Sequence, residues 1–213
     1  MDSNGHHGLA CRKSAGRHRR HALANASEDL LRAVRSVEGH AELEPSRLFR
    51  GDGKRPDGAS LDPWSAGRYL VCDFTCPDTL ASSHLRQSSF HAGSAAASAE
   101  ALKASKYSEL ASSGDYVFFA VAIETMGVWD ESALALCEEI GKRAAYLSGD
   151  PRTLTFLKQR MGLAVQRGNA ASVAGIHPQL IAGTHTLQLA LTSIDPPYSF
   201  FNFCIEVNCM HSS

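Results

Sequence analysis

The spacing of hydrophobic and polar residues predicts helices and strands over most of the first 175 residues. Leu30, Val34 and Val37 fall on one helical stripe, so a helix is predicted from about residue 17 to residue 37, and Gly39 ends it. Strands are predicted for "AELEPSRLF", which Pro45 interrupts, for "ASLDPW" and, most clearly, for "RYLVCDFTC". The segments "RGDGKRPDG" and "SAGR" are predicted turns between them.

The pattern continues with one helix predicted over "GSAAASAEALKASKYSELASSG", an apolar strand over "YVFFAVAIET", and two C-terminal helices that start near residues 130 and 150. This order predicts an α/β fold with a central mixed sheet of about four strands flanked by helices. We expect one domain over residues 17–175, an irregular basic segment over 1–16, and an irregular or disordered tail over 176–213, where no periodicity is visible.

Charge is distributed unevenly along a chain whose net charge is −1. Residues 1–60 hold 11 of the 21 lysines and arginines, and the run Arg17, His18, Arg19, Arg20 is typical of an arm that contacts phosphates. The alternative is a solvated basic terminus. No signal peptide or membrane-spanning stretch is visible. We therefore expect reduced cysteines and a nuclear or cytoplasmic protein that is not secreted.

Two aspartates are candidates for a metal-binding pair. Alternation in "YLVCDFT" places Asp73 on one face of a strand with Val71 and Thr75, where an unpaired carboxylate is costly to bury. Asp57 precedes the neighbouring strand, and a hairpin-like turn can bring it beside Asp73. Mg²⁺ commonly takes one or two carboxylates. The alternatives are a turn-forming Asp57 and an Asp73 that caps or pairs locally.

A lysine on the next helix can complete this site. Ala95, Ala99, Leu102 and Leu110 form an apolar stripe at 100° per residue, with Lys106 close to its middle. Lys103 lies at its edge. A cation on a buried helix face needs a partner, which the two aspartates can supply, or it snorkels to solvent. The pattern therefore predicts Lys106, and Lys103 as the second choice, beside the acids.

The segments "RPDG", "CDFT" and "KASKY" together resemble the core of PD-(D/E)xK nucleases, in the variant found as the restriction-like endonuclease domain of some non-LTR retrotransposon proteins. In that family a Pro-Asp precedes a second acid on the next strand and a helix with a Lys-x-x-Lys-Tyr pattern. Asp57, Asp73, Lys103 and Lys106 match those positions. Thr75 stands where the generic pattern has Lys, but the retroelement variant takes its Lys from the downstream helix.

This resemblance implies Mg²⁺ or Mn²⁺ at Asp57 and Asp73, with Lys106 or Lys103 stabilising charge on the scissile phosphate. In such folds a further acid sometimes joins the site, and Glu44 and the pair Glu28 and Asp29 are weaker candidates for that position.

Over roughly residues 5–175 the chain also resembles the extreme C-terminal region of reverse-transcriptase-like proteins of invertebrate retroelements. In that family "HGLAC" is the second half of a Cys/His zinc knuckle, and His7 and Cys11 match it. Its two upstream cysteines are absent, because the chain begins at Met1, so we expect no stable zinc site. The resemblance implies a fragment that lacks the parent reverse-transcriptase region.

Other motifs predict less. "GDGK" lacks the spacing of a phosphate-binding loop, so no nucleotide cofactor is expected. Cys204, Cys209 and His211 are a weak alternative metal group. Cys72 and Cys76, on the opposite strand face from Asp73, are predicted to be small core residues.

The candidate residues and the family resemblance together predict a metal-dependent DNA endonuclease-like domain that, if active, nicks its target by hydrolysing a phosphodiester. Its DNA contacts would be Arg17, His18, Arg19, Arg20, Lys54 and Arg55. One alternative is a catalytically silent retroelement remnant that only folds or binds DNA. The other is a structural or protein-interaction domain in which a buried Asp and Lys form an ion pair.

Overall fold

The computed structural model describes residues 15–46, 48 and 55–174. Its helices are α1 (Ala15–Glu38), α2 (Leu85–Ser88), α3 (Ser94–Lys106), α4 (Ser108–Ser112), α5 (Glu131–Ser148) and α6 (Thr153–Ala174). Its strands are β1 (Ala41–Leu43), β2 (Gly58–Ser65), β3 (Arg68–Thr75) and β4 (Tyr116–Ala122). The expected α/β class is therefore confirmed. Irregular structure was predicted for residues 1–16 and 176–213. Ala15 and Gly16 instead belong to α1, and the rest of these two segments lies outside the described residues.

The four strands form one mixed sheet in the order β1-β2-β3-β4. β1 pairs antiparallel with β2, and β2 pairs antiparallel with β3 through a tight turn at Ala66 and Gly67. β4 then pairs parallel with β3, with Asp73 opposite Ala120. A parallel neighbour requires a crossover, and helices α2, α3 and α4 form it. These helices consequently reach the face of β3 that carries Asp73.

The two faces of the sheet are covered by different helices. On one face the main core joins Leu70, Cys72, Phe74 and Cys76 of the β3 segment to side chains of α1, α5 and α6. This burial confirms that Cys72 and Cys76 are core residues. On the other face a smaller cluster forms from Ala59, Val71, Tyr107 and Leu110, with Tyr116, Phe118 and Leu48 packed against it. The strand alternation predicted for β3 therefore places Val71 and Asp73 on the side of α3 and α4.

Two carboxylates in the segment that follows β4 hold two helices in place. The buried Glu124 accepts hydrogen bonds of 3.0 and 3.2 Å from the first-turn N–H groups of Ala95 and Ala96 in α3. Asp130 caps α5, because its Oδ2 accepts from Ser132 and Ala133. The start of α3, the helix that carries the candidate lysines, is thus fixed to the strand segment beside β3.

The segment from Gly93 to Gly114 differs from its prediction. It was expected to be one helix, but α3 ends at Lys106 and a separate short helix begins at Ser108. Tyr107, at φ −109° and ψ 19°, lies between them and is almost completely buried. Among the described residues, no helix is long and apolar enough to cross a membrane.

Candidate active site

Asp57 and Asp73 lie across from one another on neighbouring chain segments. β2 and β3 pair with Gly58 opposite Cys72 and Ala59 opposite Val71, so the same register places Asp57 opposite Asp73. The Oδ2 atom of Asp57 accepts a hydrogen bond of 2.6 Å from the backbone N–H of Phe74. Asp57 therefore lies next to Asp73 at the edge of the hairpin, where the turn and strand pattern allowed it to be.

Asp73 is buried and both of its carboxylate oxygens have partners. Its side chain is 3% exposed. Oδ2 forms an ion pair with the Nζ atom of Lys103, and Oδ1 accepts a hydrogen bond of 3.0 Å from the hydroxyl of Tyr107. A carboxylate this deeply buried is stable only when it is compensated in this way. The partners come from α3 and from the residue that follows it, so the crossover completes the site.

Tyr107 is the fixed element of this arrangement. The residue is 1% exposed, and its ring centroid lies 4.9 Å from that of Phe118. The Nζ atom of Lys106 donates to the Tyr107 hydroxyl at 2.8 Å and lies 4.5 Å from the ring centroid. Because an ammonium group only donates, the phenol proton remains available for Asp73. Lys106 therefore orients the hydroxyl toward Asp73.

The electrostatics of Asp57 reflect its proximity to the second carboxylate. Burial raises the pKa of Asp57 above its ordinary value, and the charge of Asp73 raises it further. The hydrogen bond from Phe74 and the charge of Lys103 act in the opposite direction, and they lower the pKa less than burial and Asp73 raise it. The positive charge near Asp57 therefore offsets only part of the effect of burial and of Asp73, and a bound cation would favour the ionised form of Asp57.

The residues present fit a hard divalent cation. The Oδ1 atom of Asp57 has no hydrogen-bond partner among the described residues, while Asp73 lies beside it across the hairpin. No group of three or more His, Cys, Asp or Glu side chains suited to a metal occurs in the described part of the chain. Mg²⁺ does not require such a group, because one or two carboxylates suffice when water and phosphate oxygens complete its shell.

The predicted burial of Lys106 is wrong. Lys106 is exposed, and Leu102, which helped to define the apolar stripe, is 74% exposed. The face of α3 that turns inward instead carries Ala95, Ala96 and, further along, Lys103. Lys103 therefore contacts Asp73, and Lys106 reaches that carboxylate only through Tyr107. Leu102 is the one large apolar side chain of the stripe that lies in α3, because Leu110 belongs to α4 beyond the break at Tyr107, so the phase of the stripe in α3 was poorly determined.

Arg55 is the one predicted DNA contact whose side chain the structure describes. It is 60% exposed, and its guanidinium lies 3.4 Å from the Glu44 carboxylate. Residues 17–20 belong to α1, but their side chains are outside what the structure describes. Lys54 and the candidate zinc ligands His7 and Cys11 lie outside the described residues, as do Cys204, Cys209 and His211.

The weaker acidic candidates separate into two groups. The backbone N–H of Glu44 donates to the Asp57 carbonyl at 2.9 Å, and the charge of Glu44 contributes to the raised pKa of Asp57. Glu44 is thus a neighbour of the aspartate pair. Asp29 instead forms an ion pair of 2.6 Å with Arg160, which links α1 to α6. Glu28 forms an ion pair of 3.3 Å with Arg32 within α1.

Sequence reasoning did not assign a role to Tyr107. The available signal was its spacing, because residues four apart on a helix share a face and Lys103 stands four positions earlier. An aromatic residue with a polar tip is also a common choice where one end must be buried and the other must form a hydrogen bond.

Comparison with known proteins adds no assignment. No protein-family model matches the chain, and no curated protein matches it. The geometry of Asp57, Asp73, Lys103 and Tyr107 therefore carries the functional inference.

Proposed function

We propose that the chain is a metal-dependent DNA endonuclease domain of the PD-(D/E)xK type, derived from a retroelement protein. The observation that carries this proposal is the convergence of three groups from three elements. Asp57 precedes β2, Asp73 lies on β3, and Lys103 extends from α3 to Asp73. Two carboxylates can hold a divalent metal for phosphodiester hydrolysis, and a lysine beside them can stabilise the charge that develops on the phosphoryl group.

The protein groups would divide the chemistry among them. Asp57 and Asp73 would hold Mg²⁺ or Mn²⁺, which when bound supplies a Lewis acid at the phosphoryl oxygen and lowers the pKa of an attacking water. The water oxygen would lose a proton to solvent and bond to phosphorus, while the bond to the leaving sugar oxygen would break and that oxygen would take a proton from solvent. Lys103 would stabilise the charge that develops on the phosphoryl oxygens. Tyr107 would hold Asp73 in place.

DNA would approach from the side on which the basic residues lie near the aspartates. Arg55 stands two residues before Asp57, and its exposed pairing with Glu44 is the type of ion pair that contributes little stability. A DNA phosphate can therefore replace Glu44 as its partner at small cost. Lys54 and the arginines and histidine of residues 17–20 are proposed to add further backbone contacts. We propose a nuclear or cytoplasmic location, as for other enzymes of DNA.

Nicking of supercoiled plasmid DNA tests the proposal. Wild-type protein with Mg²⁺ or Mn²⁺ is expected to produce open circles, and Asp73→Asn is expected to produce at least about 100-fold fewer. Glu109→Gln changes an exposed acid of α4 in the same way and serves as the matched control. Equal nicking by wild type and Asp73→Asn would contradict the proposal.

Filter binding of the same DNA at increasing salt separates the alternatives. Salt-dependent binding without nicking would indicate a silent DNA-binding remnant. Neither binding nor nicking would indicate a structural domain in which Asp73 and Lys103 form only an ion pair. Either result would contradict the endonuclease proposal.

A further inference from the structure

The two partners of Asp73 differ in how readily they can leave. Tyr107 is 1% exposed and packs against Phe118, so its hydroxyl is fixed beside Oδ1. The side chain of Lys103 is 26% exposed, and its ammonium group stands at the end of a flexible four-carbon stem. The lysine can therefore withdraw to solvent while the tyrosine cannot.

Lys103 also holds the position that a metal ion would need. Its ammonium group pairs with Oδ2 of Asp73, and its charge acts on Asp57 as well. A divalent cation shared by the two aspartates requires an oxygen of Asp73, and Oδ1 is already directed toward Tyr107. An ammonium ion and a metal ion cannot both take Oδ2 at contact distance, because like charges at that separation repel strongly.

We infer that Lys103 is an exchangeable counter-ion: it compensates Asp73 in the metal-free protein and leaves Oδ2 when a divalent cation takes its place. This inference rests on the proposed function and adds a mode of regulation to the same site. Release transfers the ammonium group from Asp73 to the space beside the cation, where a DNA phosphate would lie. Metal loading would thereby prepare the lysine for its role in charge stabilisation.

Mn²⁺ binding without DNA tests the exchange. Titration of the full chain followed by the electron paramagnetic resonance of free Mn²⁺ gives the dissociation constant. Lys103→Met is expected to bind Mn²⁺ at least about fivefold more tightly than Lys106→Met. Lys106→Met removes an equal charge that contacts Tyr107 instead of Asp73, so it corrects for the general electrostatic effect. Equal constants for the two variants, weaker binding by Lys103→Met, or no Mn²⁺ binding by either variant would overturn the exchange.

Chemical labelling of lysine gives a second readout on the wild-type chain. With an amine-reactive ester and mass spectrometry, Lys103 is expected to label several times faster when Mg²⁺ is added, relative to the exposed Lys142 as an internal standard. An unchanged ratio of the two labelling rates at saturating Mg²⁺ would overturn release. The wild-type chain could still nick DNA in a metal-dependent way while the two variants bind Mn²⁺ equally and Mg²⁺ leaves the labelling of Lys103 unchanged. That combination would contradict the exchange and leave the endonuclease proposal standing.

Discussion

The Asp57 carboxylate accepts a hydrogen bond of 2.6 Å from the backbone N–H of Phe74, the residue that follows Asp73. This contact fixes Asp57, the residue before β2, to the strand that carries the second acid. It also places two negative charges near each other in a partly buried site. The site consequently stores unfavourable electrostatic energy when no metal is bound, and that energy is measurable as protein stability.

Asp57→Asn is expected to raise the free energy of unfolding at pH 7 by up to about 1 kcal/mol, because it removes a charge and keeps an acceptor for Phe74. Burial and Asp73 raise the pKa of Asp57 in the folded chain, so the folded state binds more protons there than the unfolded state. The ionised carboxylate therefore costs stability above its folded pKa, and the cost disappears below about pH 4.

Urea denaturation between pH 3.5 and pH 8 measures this difference. The advantage of Asp57→Asn over wild type is expected to shrink as the pH falls through the raised pKa toward the ordinary value. A variant that is less stable than wild type at pH 7, or whose advantage grows toward low pH, would show that Asp57 is a stabilising turn residue.

Tyr107→Phe is expected to lower the free energy of unfolding by about 1–3 kcal/mol, because a buried oxygen of Asp73 loses its donor. The same change is expected to reduce nicking by about 10–100-fold, as is usual when a residue that positions a metal ligand is lost. Tyr146→Phe removes a hydroxyl from a residue that is 89% exposed and should change neither quantity. Full nicking activity in Tyr107→Phe would exclude a positioning role.

Two helical glycines are expected to respond oppositely to alanine. A Cβ at Gly141 in α5 would lie 2.6 Å from the Leu154 Cβ and 3.0 Å from its Cα, so Gly141→Ala should destabilise the contact with α6 by about 1–3 kcal/mol. A Cβ at Gly162 meets no atom within 4 Å, so Gly162→Ala should stabilise α6 by about 0.5–1 kcal/mol. Thermal unfolding measures both changes, and a stabilising Gly141→Ala would contradict the close helix packing.

The buried thiols of Cys72 and Cys137 are expected to be unreactive in the folded chain. Burial raises the pKa of both thiols, with a contribution from Asp57 at Cys72, and the pKa of Cys137 reaches about 12. At pH 8 iodoacetamide should therefore alkylate them at least about 100-fold more slowly than in denaturant, because the thiolate is the reactive form. Mass spectrometry of the labelled peptides measures the rates. Similar rates in both conditions would contradict the burial of the two thiols in the core.

Strands β2, β3 and β4 were predictable because strong local signals agreed, whereas the strand order and the parallel pairing of β3 with β4 were not predicted. β3 and β4 are strongly apolar segments, and turn residues bound β2 and β3, so the approach of Asp57 to Asp73 followed from the hairpin. The choice of lysine was not predictable, because α3 contains a single large apolar residue, Leu102, and it faces solvent. Which lysine meets Asp73 depends on how α3 packs on the sheet, and a local pattern does not contain that information.

The most direct measurement of the proposed chemistry is the Mg²⁺-dependent nicking rate of supercoiled plasmid by wild type and Asp57→Asn, with folding of both proteins verified by their unfolding curves. Wild type is expected to nick only when the divalent metal is present. Asp57→Asn should fold at least as stably and nick at least about 100-fold more slowly. Wild-type protein that does not nick with Mg²⁺ or Mn²⁺, or a variant that nicks as fast as wild type, would contradict a metal-dependent endonuclease at Asp57 and Asp73.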